Sequence, residues 1–429
     1  MMNQLPNNWA IANLKDVVLS TKGKKPLRLD NSYFSESTPY IDIKALELGQ
    51  ISQYADIHSS KLFSENDIAI VWDGARSGWV SKARNGAIGS TICALTPIKI
   101  KSSYLYYFLL SKYSLINSKT RGVGIPHIDP LVLWSLSIPI PPIKEQQRIT
   151  NKLDALFGQL HAVQKAMEHI PELIKKFRQQ ILTQAMSGKL TEKWRKDKAL
   201  NKWKTELASK CCLKVQSGGT PKGGHFEESG IPFLKVYNIS HNQIDFDCEP
   251  QYVSHEIHNS QIKKSIAFPG DIVMNIVGPP LNKVAIIPNT YPEWNINQAI
   301  ALFRPKEYLH NKFLYYFFCE GSSVNSLINK MRGVVGQINI SLTQCRNFPI
   351  SIPSLEEQME IVKIVDLLFE KIEVIEHKYT SLKTSLELIP MTILNKAFKG
   401  ELVKQLPSDG NATDLIAEIE QLKKTLKKK

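Results

Sequence analysis

The sequence lacks the features of membrane and secreted proteins. No apolar run approaches the roughly 20 residues that a helix needs to span a bilayer. The first ten residues contain neither the basic nor the apolar stretch of a secretion signal. The six cysteines show no C-x-x-C spacing, so they are expected to be ordinary thiols of a reducing compartment. These features predict a cytoplasmic protein that does not contact a membrane.

The sequence also lacks the motifs that hold nucleotide cofactors and metals. It contains neither a G-x-x-x-x-G-K-[ST] phosphate loop nor a G-x-G-x-x-G that opens a strand–turn–helix unit. The Pro-Pro pairs at 141–142 and 279–280 lack the preceding Asn or Asp and the following aromatic residue of an amino-methyltransferase motif. His255 and His258 have no second cluster with which to bind a metal. We therefore expect a non-catalytic binding chain without a cofactor or metal of its own.

Positive charge is what the sequence has in excess. Across 429 residues, 54 Lys and Arg stand against 40 Asp and Glu, which gives a formal net charge of +14. A basic surface attracts polyanions, so nucleic acid is the first partner to consider. A solvated surface with a surplus of lysine is the alternative.

A long internal repeat organises the chain. Three pairs of segments match at a single offset of 212 residues: 140–146 with 352–358, 152–157 with 364–369, and 181–190 with 393–402. Looser matches precede them, such as Leu-Tyr-Tyr-Phe at 105–108 and 314–317. The chain therefore alternates variable domains with constant segments. The predicted boundaries are 1–142 (variable), 143–190 (constant), 191–353 (variable), 354–403 (constant) and 404–429 (an amphipathic basic tail).

The constant segments are predicted to be the two helices of a coiled coil. Their apolar residues recur in alternating steps of four and three, which is the seam spacing of a coiled coil; the core side of a bundle helix is the alternative. Ser354 and Glu357 form a capping box at the start of the second helix, and Gly188 and Gly400 are placed to end the two helices. The predicted seam residues are Ile149, Leu153, Leu156, Leu160, Val163, Ile361, Val365, Leu368, Ile372 and Ile375.

The connection between the helices favours an antiparallel pair. The second variable domain starts where the first helix ends and must return the chain to the start of the second helix. That start lies close by only if the helices run in opposite directions. Such a pair would place the variable domains at opposite ends of a rod roughly 57 Å long, at about 1.5 Å per residue. Pro171 and Pro390 lie inside the helical patterns and are expected to kink or interrupt them.

Each variable domain is predicted to be a mixed α/β domain. Short β-type runs such as 67–72 and 271–277 precede helical stretches rich in Tyr, Phe and Leu at 103–115 and 312–327. The expected fold class is therefore α+β: two pseudo-two-fold-related α/β domains, joined by two long helices that form an antiparallel coiled coil.

Basic and amide side chains of the variable domains are the candidate DNA contacts. Residues 1–142 carry a surplus of 5 positive charges and residues 191–353 a surplus of 6. Lys and Arg neutralise phosphates, whereas Asn, Gln and Arg can read base edges; an ordinary surface or turn role is the alternative for each residue. The candidates are Lys22, Lys24, Lys25, Arg28, Arg76, Ser77, Lys82, Arg84, Arg121, His127, Thr220, Lys222, His225, Lys235, Asn238, Asn275, Asn282, Lys283, Asn297, Gln298, Arg332, Gln337 and Asn339.

The repeated segments resemble the conserved regions of type I restriction–modification specificity subunits. The resemblance rests on Pro-Pro-Ile-Lys-Glu-Gln-Gln-Arg-Ile at 141–149, on Pro-Ser-Leu-Glu-Glu-Gln-Met-Glu-Ile at 353–361, and on the similar endings of the two helices. Gly-Gly-Thr-Pro-Lys at 218–222 is similar to the opening turn of that family's target recognition domains. The counterpart in the first half, Lys-Gly-Lys-Lys-Pro at 22–26, departs from this pattern.

The resemblance implies a DNA-binding subunit that selects where partner enzymes act. In this family, two target recognition domains each read half of an asymmetric, split duplex site, and the coiled coil fixes the spacer. The outer faces of the helices are expected to dock two modification subunits, which bind S-adenosylmethionine and methylate adenine. Restriction and translocase subunits that use ATP and Mg²⁺ can join the complex.

Two alternatives stay open at this point. A specificity component of a type II-like restriction system would have the same class of function. A coiled-coil nucleic-acid-binding scaffold with basic heads would belong to a different class, and sequence-selective binding to duplex DNA would distinguish the two classes.

Overall fold

The computed structural model describes residues 5–122, 124–198, 200, 202–224, 226–330 and 339–426. The chain divides into two compact units. The first takes the described residues of Met1–Glu168 and Ser381–Lys429, and the second those of His169–Thr380. Among the described residues, no helix is both long and apolar enough to cross a membrane.

The first unit contains two four-stranded sheets and one strand pair. The sheets have the orders β2-β9-β6-β7 and β3-β5-β4-β8, and β1 pairs with β10. The pair β4–β8 is parallel and the other pairs are antiparallel. The strands are β1 (Ala10–Asn13), β2 (Val18–Lys22), β3 (Leu29–Asp30), β4 (Ser37–Ile41), β5 (Tyr54–Asp56), β6 (Ile68–Val71), β7 (Val80–Lys82), β8 (Ala87–Ile88), β9 (Ile92–Pro97) and β10 (Ser137–Ile140).

The second unit repeats this arrangement. Its sheets have the orders β12-β20-β17-β18 and β16-β13-β19, with the additional pairs β11-β21 and β14-β15. The strands are β11 (Lys204–Leu207), β12 (Cys212–Ser217), β13 (Ile231–Leu234), β14 (Ile239–Ser240), β15 (Gln243–Ile244), β16 (Tyr252–Val253), β17 (Ile272–Asn275), β18 (Val284–Ile286), β19 (Asn295–Ile296), β20 (Ile300–Pro305) and β21 (Pro349–Ile352).

The two units share one topology, as the internal repeat predicts. The sheet β2-β9-β6-β7 corresponds to β12-β20-β17-β18, and β5-β4-β8 corresponds to β16-β13-β19, each with its one parallel pair. The runs 67–72 and 271–277 are the matching strands β6 and β17. The prediction of two related mixed α/β domains is confirmed.

The longer helices follow the last main-sheet strand of each unit in the sequence. The 3-10 helices are Lys222–Gly224, Val236–Asn238, Lys263–Ser265 and Pro407–Asp409. The α-helices are α1 (Leu14–Val17), α2 (Ile43–Leu48), α3 (Ser102–Ser118), α4 (Pro130–Trp134), α5 (Ile143–Glu168), α6 (Ile170–Met186), α7 (Glu192–Asp197), α8 (Ala208–Cys211), α9 (His255–Asn259), α10 (Asn311–Glu320), α11 (Ser322–Lys330), α12 (Leu342–Arg346), α13 (Leu355–Phe398) and α14 (Ala412–Leu426).

The long helices pair in opposite directions. In the second unit, the Arg178 guanidinium lies 2.8 Å from the Glu376 carboxylate, whereas Arg195, further along the chain, pairs with Glu357 at 2.9 Å. Arg178 lies on α6 and Arg195 on α7, directly after it, so the partners on α13 move towards its start as the chain runs forward, which is the antiparallel arrangement. In the first unit, part of α5 shares a core with the last turns of α13.

Most predicted seam residues are buried, but two are not. Ile149, Leu153, Leu160, Ile361, Val365 and Ile372 are buried, and Leu156 and Leu368 are half-buried. Val163 and Ile375 are 44% and 49% exposed, so the prediction that they lie in a buried seam is wrong. The first helix breaks at His169, and its two parts pack into separate cores. Residues near the break contribute to neither core.

The two prolines behave differently. Pro171 lies in the first turn of α6, directly after the break at His169, as expected from its missing N–H. Pro390 lies inside α13, which continues through it, so the helix is not interrupted there. Leu386 and Leu394 on either side of Pro390 are buried, and their packing outweighs the lost hydrogen bond.

Both helix ends are closed as the sequence predicts, and the predicted capping box is half formed. Gly188 and Gly400 have left-handed φ angles of 72° and 75°, which favour glycine. The Ser354 hydroxyl accepts the N–H of Glu357 at 3.3 Å. The Glu357 carboxylate turns away from this box and accepts from Thr191 at 2.7 Å.

Repeated motifs of the constant segments join each long helix to its own α/β domain. The Tyr107 hydroxyl donates to Asp154 at 2.6 Å, and Tyr316 donates to Asp366. Both tyrosines belong to the repeated Leu-Tyr-Tyr-Phe, and the acids belong to the segments 152–157 and 364–369. Burial raises the pKa of both tyrosines, so each keeps the proton that it donates.

Candidate nucleic-acid interface

Four loops meet at one end of the main sheet of the first unit. The N–H of Trp72 donates to the carbonyl of Thr91 at 2.8 Å, and the N–H of Gly74 donates to Pro126 at 2.7 Å. The first loop cluster is defined as residues 22–26, 72–78, 89–91, 121–122 and 124–127.

The same loops meet in the second unit. The N–H of Ile276 donates to Ala299 at 2.8 Å, the N–H of Ile340 donates to Ile276 at 2.8 Å, and Asn339 forms a β-bridge with Val277. The second loop cluster is defined as residues 217–222, 276–283, 297–299 and 339–340. Each unit thus builds a platform from segments that are distant in the sequence.

A glycine is the second residue of the first loop in each cluster because two backbones touch there. A β-carbon at Gly23 would overlap the carbonyl oxygen of Gly89, and one at Gly218 would overlap that of Asn297. Both glycines donate an N–H at 2.9 Å to the neighbouring strand of their main sheet. The turn at 22–26, which departs from the family pattern in sequence, therefore keeps the required glycine and the same geometry.

One carboxylate organises the first cluster. Asp73 accepts from Nδ1 of His127 at 2.6 Å and lies 3.1 Å from the Lys22 ammonium. That ammonium also lies 5.6 Å from the centre of the Trp72 ring. Because Nδ1 faces the carboxylate, Nε2 is the His127 ring nitrogen left to meet a further group. The cluster thus offers the Lys22 ammonium and a histidine ring nitrogen.

The other cationic candidates of the first unit are exposed. Three arginines have acidic neighbours: Arg28 lies 3.5 Å from Asp30, Arg76 lies 2.6 Å from Glu47, and Arg121 lies 2.7 Å from Asp129. Exposed pairs of this kind are weak, so the arginines can re-pair with phosphate. The remaining exposed candidates are Lys24, Lys25, Lys82 and Arg84.

The second cluster presents amides and a hydroxyl. Thr220 donates to the Gln298 side-chain oxygen, which fixes the orientation of an amide that is exposed to solvent. Asn339 is exposed, and Asn297 and Lys283 are half-buried. Outside the cluster, the Lys235 ammonium lies over the Phe226 ring, 4.5 Å from its centre.

Three candidates are buried inside the fold. Ser77, Asn238 and Asn275 are fully buried, so they have no surface to offer to a base or phosphate. The Ser77 hydroxyl donates to Gly74 at 2.6 Å. Asn275 bridges its own loop by donating to Pro280 at 2.7 Å and accepting from Lys283 at 2.6 Å.

Asn238 and Asn282 also build loops. Asn238 donates to the carbonyl of Cys248 at 2.7 Å, and Asn282 donates to Phe318 at 3.0 Å. The sequence-based assignment of Ser77, Asn238 and Asn275 as DNA contacts is corrected accordingly. The candidates His225, Arg332 and Gln337 lie outside the described residues.

Sequence reasoning missed the residues that orient the first cluster. Asp73 and Trp72 are not basic, so charge does not identify them. The available signal was the Gly-rich turn at 73–78, which Asp73 begins and Trp72 directly precedes. The buried acid–amide pairs Glu145–Gln146 and Glu357–Gln358 were also missed as contacts, although each recurs at the offset of 212. That repetition was the available signal.

The long helices expose apolar side chains. In the first unit these are Val163, Leu382, Leu388, Ile389 and Met391. In the second unit they are Leu173, Phe177, Met359, Leu367, Val374 and Ile375. Exposed apolar patches on paired helices are typical of protein interfaces.

A family model for the type I restriction modification DNA specificity domain matches the chain twice, over residues 6–169 and 211–384. The chain belongs to this family. The two matches fall on the two halves of the internal repeat, so each half carries one specificity domain.

Specificity subunits of both bacteria and archaea are similar to this member of the family over most of their length. The type I restriction enzyme EcoKI specificity subunit of Escherichia coli is 26% identical over 94% of this chain and 91% of its own length. The MjaVIII specificity subunit of Methanocaldococcus jannaschii is 26% identical over 86% and 88%.

Two solved structures share the fold of this specificity-domain protein. A chain from a type I restriction–modification system matches with a TM-score of 0.68 and 19% identity, over 93% of this chain and 99% of its own. The HsdS subunit from Thermoanaerobacter tengcongensis matches with a TM-score of 0.63 and 18% identity, over 93% and 98%. Together with the two units, these matches confirm the expected fold class.

Proposed function

We propose that this chain is the DNA sequence-recognition subunit of a type I restriction–modification complex. It selects a bipartite, asymmetric duplex site and directs adenine methylation or restriction by partner subunits. Each unit reads one half of the site through its loop cluster. The chain itself carries out no chemistry.

The observation that carries this proposal is that the two loop clusters share one backbone arrangement but present different side chains. The first cluster holds Lys22, Asp73 and His127, whereas the second holds Thr220 and Gln298. A common scaffold explains why both bind duplex DNA, and different reading groups explain why the halves of the site differ. The family membership supports the same conclusion.

The partners follow from the exposed apolar side chains of the long helices. We infer that these faces bind two modification subunits, which hold S-adenosylmethionine, and that restriction and translocase subunits with ATP and Mg²⁺ complete the assembly. The complex acts on cytoplasmic DNA. A component of a type II-like system would use the same clusters and differ in the partners that co-purify.

The test is to co-express the chain with its modification subunits and to map methylated adenines by single-molecule sequencing. The wild type should give a split motif. Gln298→Ala should relax a position in one half, because a bidentate base contact contributes about 1–3 kcal/mol of discrimination. Lys22→Ala should weaken methylation governed by the other half.

Gln243→Ala is the matched control, because Gln243 is an exposed amide of the second unit outside the loop cluster. It should leave the motif unchanged. Methylation without a sequence motif, or a motif that neither Gln298→Ala nor Lys22→Ala alters, would contradict the proposal.

A further inference from the structure

One leucine next to the first loop cluster is almost fully exposed. Leu27, directly after the turn at 22–26, has 93% of its surface open to solvent. Lys24, Lys25 and Arg28, which are also exposed, surround it in the sequence. An apolar side chain held in water forgoes the gain that burial would give, and no described residue of the first unit covers this one.

The backbone around Leu27 is held in place. Its own N–H donates to the Ser59 hydroxyl at 3.0 Å, and the carbonyl of Arg28 accepts the N–H of Asp56 at 3.0 Å. Pro26 on the other side is buried. The Arg28 guanidinium rests 3.9 Å from the centre of the Phe34 ring. The leucine therefore projects from an ordered turn.

The charge around this leucine indicates what it meets. A protein partner for an exposed leucine would offer an apolar pocket, and the cations that flank Leu27 in the sequence would have to be desolvated. Duplex DNA offers phosphates to the cations and an apolar surface between its stacked bases. DNA-bending proteins use apolar side chains flanked by cations in this way, as wedges that part a base step.

The second unit carries a lysine at the equivalent position. Gly218 and Pro221 correspond to Gly23 and Pro26, which places Lys222 where Leu27 stands. The N–H of Lys222 donates to the Gln261 side chain at 3.0 Å, as the N–H of Leu27 donates to Ser59. The same anchored position thus holds a cation in one unit and an apolar group in the other.

We propose that Leu27 inserts as an apolar wedge between stacked base pairs of the half-site that the first unit reads. The wedge parts one base step there, while Lys222 in the second unit pairs with a phosphate and leaves the bases stacked. This inference rests on the proposed function, because it requires the first loop cluster to lie on duplex DNA.

The experiment uses the complex of the chain with its modification subunits, and duplexes that carry the mapped motif. 2-Aminopurine, an adenine analogue whose fluorescence rises on unstacking, replaces in turn each adenine of the half that responds to Lys22→Ala, except the adenine that is methylated, because methyltransferases unstack their target base. With the wild type, fluorescence should rise at one step. In Leu27→Ala that rise should vanish, and the affinity should fall about tenfold, since burial of a leucine is lost.

Leu27→Lys, which copies the second unit, should also abolish the signal. Leu131→Ala is the matched control: Leu131 is 71% exposed on α4 of the same unit and should change neither quantity. An unchanged signal and affinity in Leu27→Ala would overturn the wedge while the motif stands. Loss of modification subunits from the Leu27→Ala complex would also overturn the wedge. A wild-type complex that selects no duplex would overturn the proposed function together with it.

Discussion

A glutamine in the first turn of each long helix ties that helix to the α/β domain beside it. The side-chain oxygen of Gln146 accepts the N–H of Lys101 at 2.9 Å, and its amide donates to Pro141 at 2.9 Å. Gln358 makes the same contacts with His310 at 2.7 Å and Pro353 at 3.0 Å. Lys101 and His310 are the N-cap residues of α3 and α10. One side chain thus fixes the starts of two helices at once.

Gln146→Leu should destabilise the first unit. The substitution leaves the part-buried N–H of Lys101 and the buried carbonyl of Pro141 without a partner, which costs about 2–4 kcal/mol in free energy of unfolding. Urea denaturation followed by fluorescence should show a lower midpoint for this unit. Gln147→Leu is the control, because Gln147 is exposed and next in the sequence. Equal midpoints for the two variants would contradict this role.

The C-terminal helix α14 is an element of the first unit's fold. Ala412, Leu415 and Ile419 are buried in the core of that unit, and the N–H of Ala412 donates to Asn8 at 3.0 Å. Ahead of the helix, the two terminal guanidinium nitrogens of Arg148, Nη1 and Nη2, donate to Asp409 at 2.6 and 2.7 Å. This hydrogen bonding holds the pKa of Asp409 below its usual range. The pair therefore stabilises the docked helix at neutral pH, and this contribution is lost as the pH falls through the lowered pKa.

Ala412→Asp should release this helix. A carboxylate at a fully buried position carries a desolvation cost that the local packing cannot offset, so the helix should undock. Limited trypsin digestion should then remove the tail faster than in the wild type. Thr413→Asp places the same charge at the exposed neighbouring position and should digest like the wild type. Equal digestion of the two variants would show that the helix does not depend on this contact.

Local patterns predicted the elements well, and packing decided where they failed. The step of four and three gave α5, α6 and α13, and glycine ended both helices, because these features depend on neighbours in the sequence. Pro390 does not end α13, although proline usually interrupts a helix, because packing on both sides holds α13 together. Asn275 has the chemistry of a base reader, but only the fold shows that Pro280 and Lys283 occupy it. The candidate site was therefore predicted in composition, and its geometry needed the structure.

At the scale of the whole molecule, the chain repeats one plan and varies its reading surfaces. The contacts of Gln146 and Gln358, and the tyrosine–aspartate pairs, are the same in both units. The side chains of the loop clusters are not. A chain organised in this way can change the half-site that one unit reads without changing how either unit holds its long helix.

In this arrangement, the sequences of the two half-sites and the length of the spacer between them depend on different parts of the chain. If the paired helices set the spacer, removing facing heptads should shorten it and leave both half-site sequences unchanged. The Arg178–Glu376 pair marks facing positions, so residues 175–181 and 373–379 are the segments to delete. Seven helical residues rise about 10 Å, which corresponds to about three base pairs at roughly 3.4 Å each. Methylation mapping should therefore return the two half-sites with a spacer altered by about that amount.

Deleting 373–379 alone should abolish methylation, because unequal helices lose their register. An unchanged spacer in the double deletion would show that the helices do not measure it.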